Sequence, residues 1–248
     1  MENIKLRIAY DGCRYRGWQK TPQGDSIENC LKEVLEQILQ HPVLLQAASR
    51  TDAGVHAAGQ VVNFFTSRNL KDFHRFAISL NRLLPKDIVV HQAEKAPFSF
   101  HPTLDCKGKE YRYYLSYDFY QQPHQRFYEW HAPCRLDLEE IQQAIPFLLG
   151  EQNFAAFCNY KIKTHYQNFI RQIESITIEE FSQKRVCFIV RGNHFLYKMV
   201  RNLVGSLVYI GRGRIKREDL PSILRSEKRA RAGITAPAHG LFLHSVYY

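Results

Sequence analysis

Runs in which apolar and polar residues alternate recur from one end of the chain to the other, and segments with helical spacing lie between them. The run Ile4–Gly12 alternates and ends on an Asp-Gly pair, and the run Gly108–Tyr117 alternates strictly. Alternation of this kind is typical of strands that bury one face. Because strand-like and helix-like runs are interspersed, the sequence predicts an α+β fold.

The remaining elements follow from the same periodicities and from capping residues. Strands are predicted over Gln60–Phe65, Asp87–Gln92, Phe169–Phe181, Arg185–Arg191 and Leu241–Tyr247. Helices are predicted over Ser26–Gln40, Lys71–Leu84, Asp137–Leu148 and His194–Ile210, although Pro146 is unfavourable inside the third. Their order indicates two similar sheet-and-helix halves, residues 1–100 and 101–248, which share a central, mainly antiparallel sheet and leave a basic cleft between them.

The charge balance restricts the class of partner. Lys and Arg total 34 against 24 Asp and Glu, which gives a net charge of +10 and a pI near 9.3. A basic surface favours polyanions, of which nucleic acid is the commonest for a soluble protein. An acidic membrane surface or a simple gain in solubility would also explain the charge.

The sequence also lacks several features, and their absence restricts the class of protein further. The first residues, MENIKLRIAYDG, contain no apolar signal region, and no segment approaches the roughly 18 consecutive apolar residues of a membrane span. The six cysteines lie far apart without a C-x-x-C pair, and the histidines are dispersed. This spacing is poor for zinc and suits reduced thiols in the cytosol. We therefore expect a cytoplasmic protein with no membrane contact and no metal.

The stretch SRTDAGVHA, from Ser49 to Ala57, concentrates the most chemistry in the fewest residues. As an ordinary connection before the next strand, it would use Asp52 and Gly54 as turn residues. As a functional loop, it would hold Asp52 ionised beside a cation, able to act as a nucleophile or general base. Arg50 would offer a planar guanidinium that binds phosphate or carboxylate through two parallel hydrogen bonds. Spacing alone leaves both interpretations open.

Aromatic residues are interleaved with arginines in two further stretches. Tyr10–Gln19 contains Arg14 and Arg16 among aromatic residues, a mixture that suits RNA as well as an ordinary surface turn. On the strand Gly108–Tyr117, Tyr111 shares one face with other aromatic and apolar residues. Core packing explains most of these tyrosines, but one of them could stack on a base.

The stretch Gly192–Arg214 begins at the N-terminus of a predicted helix, a position that favours anions. Lys198 and Arg201 lie three residues apart on one side of this helix. That side is either a solvated face or a site for phosphate or a catalytic carboxylate. A basic run follows and could track an RNA backbone, with Arg212, Arg214, Lys216, Arg217, Arg225, Lys228, Arg229 and Arg231.

Taken in order, five blocks of the chain resemble the tRNA pseudouridine synthases of the TruA type. The blocks are YDGCRYRGWQ, SRTDAGVHA, the segment Phe100–Leu115 with FHP and KEYRYYL, NHFLYKMVRNLVGSLVYIGRG, and TAPAHGLFLHSVYY. They span nearly the whole chain in the family's order, and the R-T-D-A-G-V-H block is highly specific.

The resemblance implies a role for each matching residue. In the N-terminal half, Asp52 matches the single essential aspartate of the family. In the C-terminal half, Tyr111 matches the tyrosine that stacks on the target base. Arg50 and Arg201 match arginines near the aspartate, one linked to entry of the flipped nucleotide and the other to pairing with the carboxylate.

The resemblance also implies a pocket, a substrate and an assembly. Leu241 and Leu243 match the apolar residues that wall the uracil pocket. The family isomerises uridine to pseudouridine at positions 38, 39 and 40 of the tRNA anticodon arm, without cofactor or metal, as a homodimer whose basic clefts hold the tRNA. Two alternatives remain: an RNA-binding protein without activity, and a hydrolase that uses an aspartate nucleophile and releases free uracil.

Overall fold

Ten strands and five α-helices form the part of the protein that the computed structural model describes, residues 1–21, 25–159, 166–182 and 184–248. The strands are β1 (Glu2–Tyr10), β2 (Gln46–Ala47), β3 (His56–Thr66), β4 (Ile88–Ala96), β5 (Gly108–Ser116), β6 (Trp130–His131), β7 (Gly150–Asn153), β8 (Ile170–Ser182), β9 (Arg185–Gly192) and β10 (Leu241–Tyr247). The helices are α1 (Ile27–Leu39), α2 (Phe73–Leu83), α3 (Leu138–Ala144), α4 (Met199–Gly211) and α5 (Leu220–Ser226). The expected α+β class is confirmed. Among the described residues, no α-helix combines the length and apolar composition needed to cross a lipid bilayer.

The residues cluster into two compact units, of which the first comprises Met1–Lys107 with Phe242–Tyr248. Here β1 pairs antiparallel with β3 and β4, β2 pairs antiparallel with β3, and β10 runs parallel to β3. The alternation of the first strand places Ile4, Leu6 and Ile8 in the core with no exposed surface. The result is a mixed sheet in which the C-terminal strand lies beside β3.

The two helices of the first unit begin and end close to their predicted limits. Ser26 Oγ accepts a hydrogen bond from the Asn29 N–H at 3.2 Å, and Gln40 ends α1 in a left-handed conformation with φ 61°. The apolar spacing of α2 predicts that Leu83 faces the core, but it is 47% exposed. Leu84 is buried instead, because the chain leaves the helix there in an extended conformation.

The second unit, Gly108–Leu241, contains strands β5 to β9. Strands β5, β9, β8 and β7 pair antiparallel in that order, and β6 lies parallel to β5. In β5, the side chains of Tyr111, Tyr113 and Leu115 are buried on one face, whereas Arg112 on the other face is half-buried. This is the division of faces that the strict alternation predicts.

Helix α4 of the second unit is shorter than the sequence predicted. It begins at Met199 rather than His194, because Lys198 adopts a left-handed conformation with φ 60° immediately before it. Lys198 therefore precedes the helix, and its ammonium lies 5.1 Å from the ring centroid of Tyr197. The prediction that Lys198 and Arg201 share one side of a helix beginning at His194 is wrong.

Two further details of the second unit concern predicted boundaries. Pro146 does not interrupt α3, because the α-helix ends first and Ile145–Leu148 continue as a 3₁₀ turn with the proline near its start. A proline is tolerated there because the first N–H groups of a helical turn have no intrahelical partner. Between the predicted strands Phe169–Phe181 and Arg185–Arg191, Lys184 has φ 58°, and residue 183 lies outside the described residues.

Candidate active site

The SRTDAGVHA stretch forms a loop that several hydrogen bonds hold in place. The Ser49 N–H donates to Gln60 Oε1 at 3.2 Å, and the Gln60 amide donates to the Ser49 carbonyl at 2.6 Å. Further along, the Thr51 hydroxyl lies 2.8 Å from the Tyr10 hydroxyl in a buried contact, and the Trp18 N–H donates to the Thr51 carbonyl at 3.1 Å. The loop is therefore anchored to its own unit, unlike a solvated turn.

Asp52 lies within this anchored loop and is half-buried. Its carbonyl accepts from the Val55 N–H at 3.1 Å, which closes a turn, and Gly54 within the turn has φ 78°. Residues with a Cβ rarely adopt that conformation, so a glycine is required here. Arg50 is exposed. A hydrogen-bonded backbone thus carries a carboxylate and a guanidinium two positions apart in the sequence.

The C-terminal strand continues the sheet directly beside the end of this loop. Leu243 pairs in register with Ala57, and Phe242 pairs with His56. The His56 ring stacks on the Phe242 ring with centroids 4.4 Å apart, and Leu243 has no exposed surface. Sequence reasoning associated Leu243 with Asp52 only through the resemblance, because nothing in the spacing of the two segments predicts this pairing.

Tyr111 and the tyrosine that follows it on the same face have different surroundings in the second unit. Tyr111 is 6% exposed, and its ring meets the Phe195 ring edge-on with centroids 5.1 Å apart. Tyr113 has no exposed surface, and its hydroxyl donates to the Pro237 carbonyl at 2.8 Å. Burial raises the pKa of Tyr113 well above its ordinary value. Tyr113 is therefore a core residue, as the sequence suggested for most of these tyrosines.

Arg201 lies in the first turn of α4 and is half-buried. Its Nε donates to the Ala236 carbonyl at 2.7 Å, and the Ala236 N–H donates to the Arg201 carbonyl at 3.1 Å. The charge of Arg201 also acts on the pKa of Tyr113, in the direction opposite to burial. Arg201, Tyr113 and the chain around Ala236 therefore form one neighbourhood of the second unit.

The candidate residues are thus distributed over both units. The first unit contains Arg50, Asp52 and Leu243, and the second contains Tyr111, Arg201 and the buried Leu241.

The basic run after α4 is not a uniform surface. Arg217 donates to the Gln143 amide oxygen, pairs with Glu140 at 2.8 Å, and pairs with Glu218 at 3.0 Å. Arg229 is half-buried and hydrogen-bonded within the unit. The exposed cations of the run are Arg214, Lys216, Arg225, Lys228 and Arg231. Of these, Arg231 donates to Ser222 Oγ at 3.2 Å, and the Arg214 guanidinium lies 5.2 Å from the ring centroid of Tyr209.

One group of side chains has the donor types of a metal site, although the sequence predicted none. A carboxylate oxygen of Asp11, Sγ of Cys13 and a ring nitrogen of His56 lie within 4.8 Å of one another. The Gly12 N–H donates to His56 Nδ1 at 3.1 Å, and burial, with Asp11 as a further cause, raises the pKa of the Cys13 thiol to about 12. A metal ion would therefore have to displace a hydrogen bond and a firmly held proton. Sequence spacing missed the group because Gly12 and His56 are 44 positions apart.

Comparison with known proteins identifies the class. A sequence profile described as tRNA pseudouridine synthase matches residues 7–105 and 144–248. The chain therefore belongs to the tRNA pseudouridine synthase family, whose members are isomerases.

Curated relatives refine the class to one type. A tRNA pseudouridine synthase A 2 from Protochlamydia amoebophila is 57% identical over 248 residues, which cover this whole chain and 95% of the relative. The tRNA pseudouridine synthase A of Acetivibrio thermocellus is 39% identical, with both chains covered completely. The tRNA pseudouridine synthase A of Myxococcus xanthus is 40% identical, and the match covers this whole chain and 92% of the relative. The resemblance seen in the five sequence blocks is confirmed.

Proposed function

We propose that this chain isomerises uridine to pseudouridine at positions 38, 39 and 40 of the tRNA anticodon arm, with Asp52 as its catalytic group and without a cofactor. The observation that carries the proposal is the R-T-D-A-G-V-H block, held as an anchored loop in a chain that belongs to the tRNA pseudouridine synthase family. Relatives that match over the whole chain are named for the same reaction on tRNA.

The reaction requires little besides a carboxylate and a pocket. The N1–C1′ glycosidic bond breaks, the uracil turns, C5 bonds to C1′, and the proton from C5 is replaced by one at N1. Substrate and product are isomers, so neither an oxidant nor a second substrate is consumed. Asp52 supplies the carboxylate, either by attacking C1′ or by removing a proton from the sugar in a glycal route. Both routes need the ionised form of Asp52.

The remaining residues would hold the base and the backbone. A nucleotide paired in a stem must leave the stack before an enzyme can reach its glycosidic bond. Tyr111 would then supply an aromatic face for the extruded uracil, and Leu241 and Leu243 would wall the pocket. Arg50 would assist entry of the flipped nucleotide, and Arg201 would pair with the carboxylate. A homodimer, a basic cleft between similar halves and a cytoplasmic location belong to the same proposal.

The direct test is mass spectrometry of tRNA after chemical tagging of pseudouridine. Unmodified tRNA with uridine at positions 38, 39 and 40 is incubated with the protein, digested and sequenced, with Asp52→Ala in parallel. We expect tagged pseudouridine at those positions from the wild type alone. Free uracil in the supernatant would indicate a hydrolase. Tight tRNA binding with no product from either protein would indicate an RNA-binding relative without activity.

The affinity for tRNA is expected to fall steeply with ionic strength. The net charge is +10, and Arg214, Arg225 and Lys228 are exposed in one stretch of the second unit. Each phosphate contact releases counterions, so a few contacts lower the affinity by at least about tenfold between about 50 and 200 mM salt. Filter binding at several salt concentrations measures the slope, and Lys228→Ala should reduce it by about one. A salt-independent affinity would contradict this use of the charge.

A further inference from the structure

Arg229 differs from the exposed Lys228 and Arg231 because its guanidinium makes four hydrogen bonds to residues of its own unit. Nη1 donates to the Gly233 carbonyl at 2.7 Å, and Nη2 donates to Asn202 Oδ1 at 2.8 Å and to Thr235 Oγ1 at 2.9 Å. Nε donates to Asn159 Oδ1 at 3.3 Å. All of these partners are neutral, and burial lowers the pKa of Arg229 below its ordinary value. Holding a half-buried cation against neutral partners alone is unfavourable unless its hydrogen bonds are needed.

Asn202 is the residue through which these bonds reach helix α4. It has no exposed surface and follows Arg201 directly in the first turns of the helix. Its Oδ1 accepts from Arg229 and from the Thr235 hydroxyl, the latter at 2.7 Å. Its Nδ2 donates to the Phe157 carbonyl at 2.7 Å and to Asn159 Oδ1 at 2.8 Å. The Asn202 amide therefore has one possible orientation, because donors surround its oxygen and acceptors surround its nitrogen.

The segment 229–236, which we call the strap, joins this network to Arg201. Arg229 begins the strap and bonds to Gly233 and Thr235 within it. Ala236, next after Thr235, exchanges the two hydrogen bonds with Arg201 described above. A displacement of Thr235 therefore moves the carbonyl oxygen that holds the Arg201 side chain.

We propose that Arg229 is a positioning residue, which fixes the strap so that the Ala236 carbonyl orients the Arg201 guanidinium. The inference rests on the proposed function, in which Arg201 pairs with the catalytic carboxylate. Arg229 is thus not a phosphate contact, although Lys228 and Arg231 on either side of it are exposed.

The geometry of the network explains why arginine is needed at this position. The guanidinium is a planar fork with five N–H donors, so it can donate to Gly233, Thr235 and Asn202 at the same time. A lysine ammonium keeps the charge but is a single point at the end of a flexible stem. Lysine would therefore serve an RNA-contacting role and fail in a positioning role, and this difference gives the test.

The experiment compares Arg229→Lys with Arg135→Lys, an exposed arginine of the same unit outside the basic run, and Thr235→Val with Thr235→Ser. We expect Arg229→Lys and Thr235→Val to lower kcat for pseudouridine formation by about tenfold or more, because small misplacements of an active-site group cost this much. The Kd for tRNA and its salt dependence should stay within about twofold of the wild type. Arg135→Lys and Thr235→Ser should have near-normal kcat. Thr235→Val keeps the test valid if Arg229→Lys is poorly folded.

A second measurement separates positioning from a general loss of structure. If Arg229 acts through Arg201, Arg229→Lys should lower kcat much less in an Arg201→Ala background than in the wild type. Normal kcat for both Arg229→Lys and Thr235→Val, additive effects with Arg201→Ala, or a weaker tRNA Kd at unchanged kcat would each overturn the inference. A wild type that forms no pseudouridine would overturn the proposed function itself, and this inference with it.

Discussion

Asp52→Asn is expected to abolish pseudouridine formation while changing the affinity for tRNA by no more than a few-fold. The amide has nearly the shape of the carboxylate, but it can neither attack C1′ nor remove a proton from the sugar. Loss of a nucleophile or general base lowers kcat by about ten-thousandfold or more in enzymes that depend on one such group. The backbone of Asp52 closes the turn to Val55 through its carbonyl, which the substitution leaves in place.

The matched control is Asp219→Asn, which removes an exposed carboxylate before α5. It should leave both kcat and tRNA affinity near the wild-type values, because its side chain makes no capping hydrogen bond. Single-turnover formation of tagged pseudouridine gives the rate, and filter binding gives the Kd. Ordinary turnover by Asp52→Asn would remove Asp52 from the mechanism. Loss of tRNA binding together with activity would give the residue a structural role instead.

Local patterns in the sequence predict much of the fold correctly. Helix α1 follows its Ser26 cap, β10 has the predicted limits Leu241–Tyr247, and the faces of β5 follow the alternation. These elements are decided by short-range signals: a capping hydroxyl, a period of two, a buried apolar face. The family resemblance, likewise, depends on contiguous blocks and is confirmed by relatives that match over the whole chain.

What the sequence does not predict depends on contacts between distant segments. Apolar residues at helical spacing continue through Leu196 and Val200, so periodicity extends α4 too far; the left-handed backbone of Lys198 sets its start. Arg229 and Lys228 look alike as members of one basic run. Only the fold shows that Arg229 is bonded to Asn202 and to the strap. The two hydrogen bonds between the Gln60 side chain and the Ser49 backbone cannot be predicted from local patterns for the same reason.

Gly205→Ala is expected to destabilise the protein by about 3 kcal/mol, the upper part of the usual range for overpacking, although alanine is the better helix former. Gly205 is buried on the side of α4 that faces the strap. A Cβ at this position would lie 1.8 Å from the Ile234 carbonyl oxygen and 2.9 Å from its carbonyl carbon. Backbone atoms of the strap cannot rotate away as a side chain can, so the strap must move.

Gly211→Ala is the control because it adds the same methyl group to the same helix. Its Cβ would meet side-chain atoms of Ile141 and Leu136 at 2.7 to 2.8 Å, and the ends of those side chains can shift. We expect a loss of about 1 kcal/mol there. Urea unfolding measures the free energy of unfolding of both variants. In thermal unfolding, the larger loss should lower the Tm of Gly205→Ala by about 6 to 12 °C. Equal stability of the two would mean that the strap moves off the helix without cost.

The folded fraction of Gly205→Ala should also have a lower kcat than that of Gly211→Ala. Ile234 lies in the strap between Gly233 and Thr235, so the added methyl group pushes on the backbone that the Arg229 network holds. Ala236, which holds the Arg201 side chain, is displaced with it. A stability loss without any change in kcat would mean that Arg201 keeps its orientation when the strap moves. Parallel losses would mean that close contact between helix and strap serves the site as well as the fold.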